Sequence, residues 1–341
     1  MSYEAVLKAA ASIRPTKVRW LWPKYVARSQ VTILDGDPGT GKSFITMDLA
    51  ARVSRGDFMP GGRYKADPEP VLICNAEDDA GTTIVPRLRA LGAALERIHL
   101  LSNVRVDGRE YPLMLPDAYD VLEGAVCDVK PALIIIDPVM AFLSPDVRTF
   151  QDQSVRLALE PLKNLAREHD AAILVVRHLN KNTAAKAIYR GGGSIGLVGL
   201  CRSGLLVGEN PDAPGERLLT QIKNNLAKRQ PSLAYEIEFA DGAPRVSWLG
   251  IREVSADQAL LHNVGRTPLA AACELIRNFL GDNVHKAKEV ALFAMKAGAS
   301  AASVARAREK IPVVSTKIGK AWYWSLRPPT EEQRNAIVLA P

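Results

Sequence analysis

Gly36-Asp37-Pro38-Gly39-Thr40-Gly41-Lys42-Ser43 follows directly on the apolar run 31–34 and precedes the helix-like stretch 44–53. This is a complete GxxxxGK[ST] loop between a strand signal and a helix signal. Successive backbone N–H groups can wrap the α- and β-phosphates of a nucleotide only where glycines permit the turn and the close approach. Lys42 is then placed to reach the β- and γ-phosphates and Ser43 to offer its hydroxyl to Mg²⁺. The helix opening near Gly41 aims its positive end at the phosphates. Residues Gly36 to Ser43, with Phe44 beside them, are therefore the candidate contacts for an NTP, with Mg²⁺ as its counter-ion. The competing reading is a glycine turn that caps an ordinary helix.

Outward from the loop, short apolar runs at 31–34, 71–74, 98–101, 133–136 and 172–176 alternate with helical patterns near 42–54, 80–91, 117–129 and 154–168. Such alternation predicts an α/β fold with a parallel sheet and right-handed crossovers, which put nucleotide chemistry at the strands' carboxyl ends. From 203 to 249 the pattern changes to apolar runs separated by Asn210-Pro211, Pro214-Gly215 and Asp241-Gly242. These are turn dipeptides, and they predict antiparallel hairpins that extend the sheet. Periodicity weakens near 250–266, so the chain divides into a core over 1–252, a linker over 253–265, a small domain over 266–327 and a tail over 328–341.

Composition narrows the setting. The 341 residues are 47% hydrophobic, enough for one large core and a smaller module. Cys74, Cys127, Cys201 and Cys273 are widely spaced without a CxxC pair, which suggests neither zinc nor a disulfide framework and fits a reducing cytoplasm. No run approaches about 18 apolar residues, so no membrane partner is expected. A formal net charge of +7 favours polyanionic partners, although so modest a charge also suits an ordinary solvated surface.

Three more positions carry chemistry. Leu133-Ile134-Ile135-Ile136-Asp137 is a buried strand ending in a carboxylate, placed to hold the hydration shell of Mg²⁺ as a Walker B aspartate. Glu77 follows the run 71–76 and is a candidate to orient the attacking water; Asp78 and Asp79 compete with it, and a capping box for the next helix is the structural alternative. His178 ends the run 173–177, where a polar side chain can detect the γ-phosphate, although a lone histidine is often structural. The basic, glycine-rich loop 180–194 that follows could deliver a cation to a phosphate.

Gly36 to Ser43, Ala76-Glu77-Asp78-Asp79, 134–138, His178-Leu179-Asn180-Lys181 and Tyr189-Arg190-Gly191, in this order, resemble the RecA-type ATPases of the RepA-like hexameric helicase group, related to the DnaB replicative helicases. The resemblance covers about residues 15–250. It implies a RecA-like core, ATP and Mg²⁺ between neighbouring subunits, and a homo-oligomer, six subunits around single-stranded DNA. It assigns Glu77 as the catalytic glutamate, Asp137 as the Walker B aspartate, His178 as the sensor and Arg190 as an arginine finger for the neighbour's site. DnaB-like relatives often carry a basic KxR pair on a late strand. Here Lys223-Asn224-Asn225 lacks the second cation, leaving Lys223 a contact in trans of lesser standing and Arg202 a secondary basic residue.

The fold class places DNA-facing loops after the Walker B and sensor strands, near 140–153 and 181–193. Arg148, Lys181 and Lys186 are the candidates there for backbone phosphates; the alternatives are that Lys181 serves the nucleotide and Arg148 is simply exposed. In the last segment, helical patterns near 268–280, 286–297 and 300–310 precede a hairpin formed by 313–316 and 321–326, which resembles a winged helix carrying Arg306 and Arg308. Trp322 and Trp324 alternate on one strand and are expected in its core. The sequence thus points to an ATP-hydrolysing, ring-forming DNA motor, a helicase of replicative type. Its alternative is a recombination mediator or helicase loader that does not unwind, and either would work with a replication or recombination protein.

Overall fold

The computed structural model describes residues 4–331 except 6, 63, 66, 181–186, 188–190, 192–195, 211, 212, 214, 241, 242, 266–271, 274, 275, 278, 282, 297–300 and 320, and, beyond these, 333, 334 and 337. Lys181, Lys186 and Arg190 therefore lie outside the described residues. The chain forms two compact units, residues 1–260 and 261–341.

The first unit is built on a nine-stranded sheet. Its strands are β1 (Gln30–Gly36), β2 (Val71–Asn75), β3 (Ile98–Leu100), β4 (Leu133–Asp137), β5 (Ala172–His178), β6 (Ser203–Glu209), β7 (Arg217–Asn224), β8 (Ser232–Ala240) and β9 (Ala243–Arg252). The spatial order is β9-β8-β7-β6-β1-β5-β4-β2-β3. All pairs from β6 to β3 are parallel, and β7, β8 and β9 join antiparallel, as the change in turn chemistry after residue 203 predicts. This is an α/β fold with a large, mostly parallel sheet of RecA-like type.

Strands buried on both faces must be apolar throughout, and β2 and β4 are buried at every position. One face packs Leu34, Ile73, Ile135 and Val176 against Ile45, Leu49 and Val53 of α1 (Lys42–Arg55) and Leu88 of α2 (Val85–Ala90). The other packs Ile33, Ile134 and Val175 against Leu122 and Val126 of α3 (Tyr119–Val129), Leu159 and Leu162 of α4 (Asp152–Glu168), and Leu197 of α5 (Gly196–Leu200). Parallel register aligns the strands' carboxyl ends. Gly36 stands opposite His178 on one side and Val207 on the other, and Asn75 opposite Asp137.

Two features differ from the sequence expectation. The span 253–265, read as a linker, holds helix α6 (Ala256–Gly265), whose Ala259 and Leu260 are buried in the first unit against β6, β7 and β8. Gly208 admits that helix closely: a Cβ there would lie 3.0 Å from the Ala259 carbonyl oxygen. The loop 140–153 is also less open than expected. Its first residues form a short helical turn, Val139–Phe142, with Phe142 and Ser144 buried, so exposure is concentrated over 145–151.

The second unit has its own core of Ala272, Cys273, Ile276, Leu280, Val290, Ala294, Val304, Ala307, Ile311 and Trp324. Helices α7 (Ala287–Lys296) and α8 (Ala301–Lys310) accompany a three-stranded sheet in which Ala321–Ser325 lies between His285–Lys286 and Val314–Ile318. The hairpin turn is tighter than expected, because pairing runs through Ile318 and Ala321. Trp322 corrects the expectation that both tryptophans are core. Trp324 is 8% exposed, whereas Trp322 is 56% exposed, because its cross-strand partner Lys317 lies one pair from the turn, beyond the buried cluster.

Candidate active site

The phosphate loop leaves β1 at Gly36, where a Cβ would meet Thr40 Oγ1 at 2.9 Å and the Val207 carbonyl oxygen at 3.1 Å. Only glycine fits that approach. Gly41, the N-cap of α1, has φ 95°, a conformation that side chains resist. Thr40 Oγ1 donates to the Asp37 carbonyl at 2.7 Å, and Tyr235 Oη, buried on β8, donates to the Thr40 carbonyl at 3.2 Å. A strand from the antiparallel extension therefore braces the loop. Pro38 and Gly39 are its exposed tip.

Lys42 is 4% exposed, and its Nζ donates to the carbonyls of Gly36 and Asp37, each at 2.9 Å. Burial lowers its pKa, opposed by the negative charges of Asp137, Asp37, Asp35 and Glu77. The ammonium is held at the centre of the loop by partners that a phosphate can replace.

Asp137 ends β4 beside the loop. Burial pushes its carboxyl up to about 6, opposed by a hydrogen bond from Ser43 and reinforced by the charge of Glu77. Its Oδ2 is buried with no hydrogen-bond partner among the described residues. An unpaired buried carboxylate oxygen is costly. Beside the Ser43 hydroxyl it is the donor set that hard, oxygen-seeking Mg²⁺ requires, so these residues fit the cation.

Asn75 sets the direction of Glu77. Its Oδ1 accepts from the backbone N–H of Glu77 at 3.0 Å and of Asp78 at 2.7 Å, turning the chain as it leaves β2. The neighbouring carboxylates are otherwise engaged. Asp78 pairs with Arg87 at 3.0 Å, and Asp79 accepts from Thr82 N and Thr82 Oγ1 at 2.7 Å as a helix cap. Glu77 alone of the three approaches the strand ends, with Oε1 3.6 Å from His178 Nε2. His178 Nδ1 is buried without a hydrogen-bond partner among the described residues. Phe44, next after Ser43, lies under the Arg87 guanidinium, 4.7 Å from its ring centre.

The structure thus brings together Lys42, Ser43, Asp137, Glu77 and His178. Arg148 is exposed on the 145–151 loop, whose backbone is tied by its N–H to Ser154 Oγ at 2.9 Å. Lys223 Nζ donates to the Val198 carbonyl at 2.7 Å, which links β7 to α5, and Arg202 is exposed. In the second unit Arg306 and Arg308 are exposed on α8, with Arg308 5.9 Å from the Trp324 ring centre. Sequence reasoning missed Asn75, Tyr235 and the buried Asp35–Arg177 pair on β1 and β5, whose carboxylate and guanidinium meet twice at 2.8 Å. A signal for that pair was available: one charge of each sign stands near the end of two apolar strands.

A family model described as an AAA domain matches residues 2–184, taking in Gly36 to Ser43, Glu77, Asp137 and His178 and stopping short of Arg190. The DNA repair protein RadA of Mycobacterium tuberculosis is 29% identical over 165 residues, which cover 47% of this chain and 29% of that protein. RadA of Streptococcus pyogenes is 24% identical over 158 residues, 46% of this chain and 29% of its own length. RadA of Chlamydia pneumoniae is 21% identical over 159 residues, 46% and 30% respectively. The matched region therefore spans under a third of the length of these curated relatives.

Proposed function

The chain belongs to the AAA domain family, RecA-like P-loop ATPases, and from that premise we propose that it is a DNA-associated motor that hydrolyses ATP as a ring, a helicase of replicative type with six subunits around single-stranded DNA. The observation that carries the reading is the convergence of Lys42, Asp137, Glu77 and His178 on one phosphate loop at the carboxyl ends of adjacent parallel strands. In this reading the loop's N–H groups and Lys42 hold the triphosphate and offset the charge that develops on its oxygens. Ser43 would hold Mg²⁺ directly and Asp137 through water, and the bound ion would supply electrostatic stabilisation of the phosphate charge. Glu77 orients a water toward the γ-phosphorus and accepts its proton as the new P–O bond forms and the bond to the bridging oxygen breaks. His178, beside Glu77 and opposite Gly36, registers whether the γ-phosphate is present. Arg190 of a neighbouring copy completes the site.

Arg148, Lys181 and Lys186 neutralise the DNA backbone in this scheme, and the second unit acts as a winged-helix-like module that presents Arg306, Arg308 and the exposed Trp322. No helix among the described residues is long and apolar enough to cross a membrane. The similarity to RadA, a DNA repair protein, favours a second reading, in which the same ATPase remodels DNA in recombination without unwinding it.

The test is steady-state ATP hydrolysis with and without single-stranded DNA, beside a fork-unwinding assay and a mass measurement of the assembly. DNA-stimulated hydrolysis with strand separation by a six-subunit species is expected. Stimulated hydrolysis without unwinding would move the assignment to the recombination reading, and no hydrolysis above a Lys42→Ala control would overturn both.

A further inference from the structure

The chain's net charge is not spread evenly. Residues 261–341 carry 12 lysines and arginines against 6 aspartates and glutamates. Residues 1–260 carry 32 against 31, so almost the whole formal charge of +7 belongs to the smaller unit. An excess of one sign confined to one unit points to a polyanion as that unit's partner.

Charge alone also describes a solvated basic surface, and the second observation is an aromatic one. Of the chain's five tryptophans, all among the described residues, Trp322 alone is exposed, at 56%. Its ring forgoes one of the largest burials open to a side chain. In the hairpin Trp322 stands directly opposite Lys317, and Trp324 opposite Ser315. Side chains two apart on a strand share a face, so Lys317, Trp322, Ser315 and Trp324 lie on one face of the small sheet. Trp324 packs into the unit's core, and the Arg308 guanidinium of α8 lies 5.9 Å from its ring centre. Arg308 and Lys317 are themselves exposed. One exposed ring thus has a cation directly across the hairpin and another held beside the next ring on the same face.

An indole face accepts another flat ring. In a duplex each base face is covered by its neighbours and only the edges reach the grooves, whereas an unpaired strand offers its faces to stacking. Phosphates on either side of a stacked base can then meet cations on either side of the ring. We propose that Trp322, Lys317 and Arg308 form a binding site for single-stranded DNA, in which Trp322 stacks on an unpaired base and the two cations hold the phosphates that flank it. The choice of DNA rests on the function proposed above, and the stacking on the hairpin's own geometry.

The test uses the full chain without ATP or Mg²⁺. Its probes are a thymidine homopolymer of about 20 nucleotides and a duplex of the same length. Stacking on a base quenches indole emission, so the homopolymer should quench the tryptophan fluorescence of the native chain. Trp322→Phe should lose most of that quench yet bind within about threefold of native, because a phenyl ring still stacks. Trp322→Ala should bind the single strand about 10–100-fold more weakly in anisotropy titrations, the worth of one stacked base, and the duplex within about twofold of native. Lys317→Ala should reduce the slope of log affinity against log salt by about 0.7, the loss of one phosphate contact on a single strand. Both positions are exposed, and thermal unfolding should report near-native stability for every variant. Native affinity in Trp322→Ala would overturn the site. So would a quench that is absent or that survives Trp322→Phe, or a weakening shared equally by strand and duplex. The motor reading fails separately: hydrolysis that DNA does not stimulate would sink it with this site intact, and stimulated hydrolysis without the quench would sink this site alone.

Discussion

Asp137→Asn is expected to make the protein more stable while ending its Mg-ATP turnover. Asp137 is 4% exposed, its Oδ2 has no hydrogen-bond partner among the described residues, and burial raises its carboxyl from the ordinary 3.8 to about 6. A shift of about 2 units corresponds to about 3 kcal/mol between the two protonation states. The sign follows from linkage. A carboxyl whose folded-state pKa is raised holds its proton in the native state when the unfolded chain has lost it, so its stabilising contribution is complete below about pH 4 and disappears as the pH rises through about 6. At neutral pH the native protein carries the full burden of a buried, half-satisfied carboxylate. The amide removes that burden and keeps an oxygen that can accept from Ser43. Urea unfolding of the native chain and Asp137→Asn, from pH 4 to pH 8 without nucleotide or metal, is the assay. The two should nearly coincide at pH 4, and the variant should gain up to about 3 kcal/mol by pH 7 to 8. Mg-ATP should narrow the gap by stabilising only the protein that can bind it. Parallel curves, or a variant less stable at pH 8, would refute the assignment of Asp137 as a strained carboxylate held for a cation.

Three further outcomes follow from the same geometry. Gly36→Ala places a methyl against Thr40 Oγ1 and the Val207 carbonyl, so the loop must shift; a stability loss of about 1–3 kcal/mol and weaker binding of a fluorescent ATP analogue are expected in titration. Glu77→Gln keeps the Asn75 turn, which is made by backbone N–H groups, and should bind ATP at near-native affinity while single-turnover hydrolysis falls by about 10²–10⁴. Trp324→Ala should cost about 3–5 kcal/mol in thermal or urea unfolding of the second unit, against within about 0.5 kcal/mol for Trp322→Ala; equal losses would contradict the burial difference between the two rings.

The parts of the fold legible in the sequence are those governed by local pattern. Apolar runs buried on both faces announce parallel strands, and the glycine and lysine spacing at 36–43 announces the phosphate loop, because backbone approach there excludes other residues. The same reasoning extends to Asp137 and His178, which end such runs. It stops where the deciding contact is distant in sequence. Tyr235 meets Thr40 across 195 positions and Arg177 meets Asp35 across 142, and nothing local in either segment names the partner. Among Glu77, Asp78 and Asp79 the sequence left three candidates standing. In the structure Arg87 engages Asp78, Thr82 engages Asp79, and the Asn75 side chain turns Glu77 toward His178, contacts that no local pattern announces. The linker expected at 253–265 fails for a related reason. Helix α6 has a weak apolar period of its own, yet Ala259 and Leu260 fit a recess that exists only once Gly208, Leu206 and Leu218 have been assembled from other strands. Trp322 and Trp324 make the complementary point: alternation puts both rings on one face of a strand, but only distance from the turn decides which of them reaches the core. Chemistry-bearing types at strand ends are thus readable from pattern, whereas the orientation that turns them into a site is set by partners that the fold supplies.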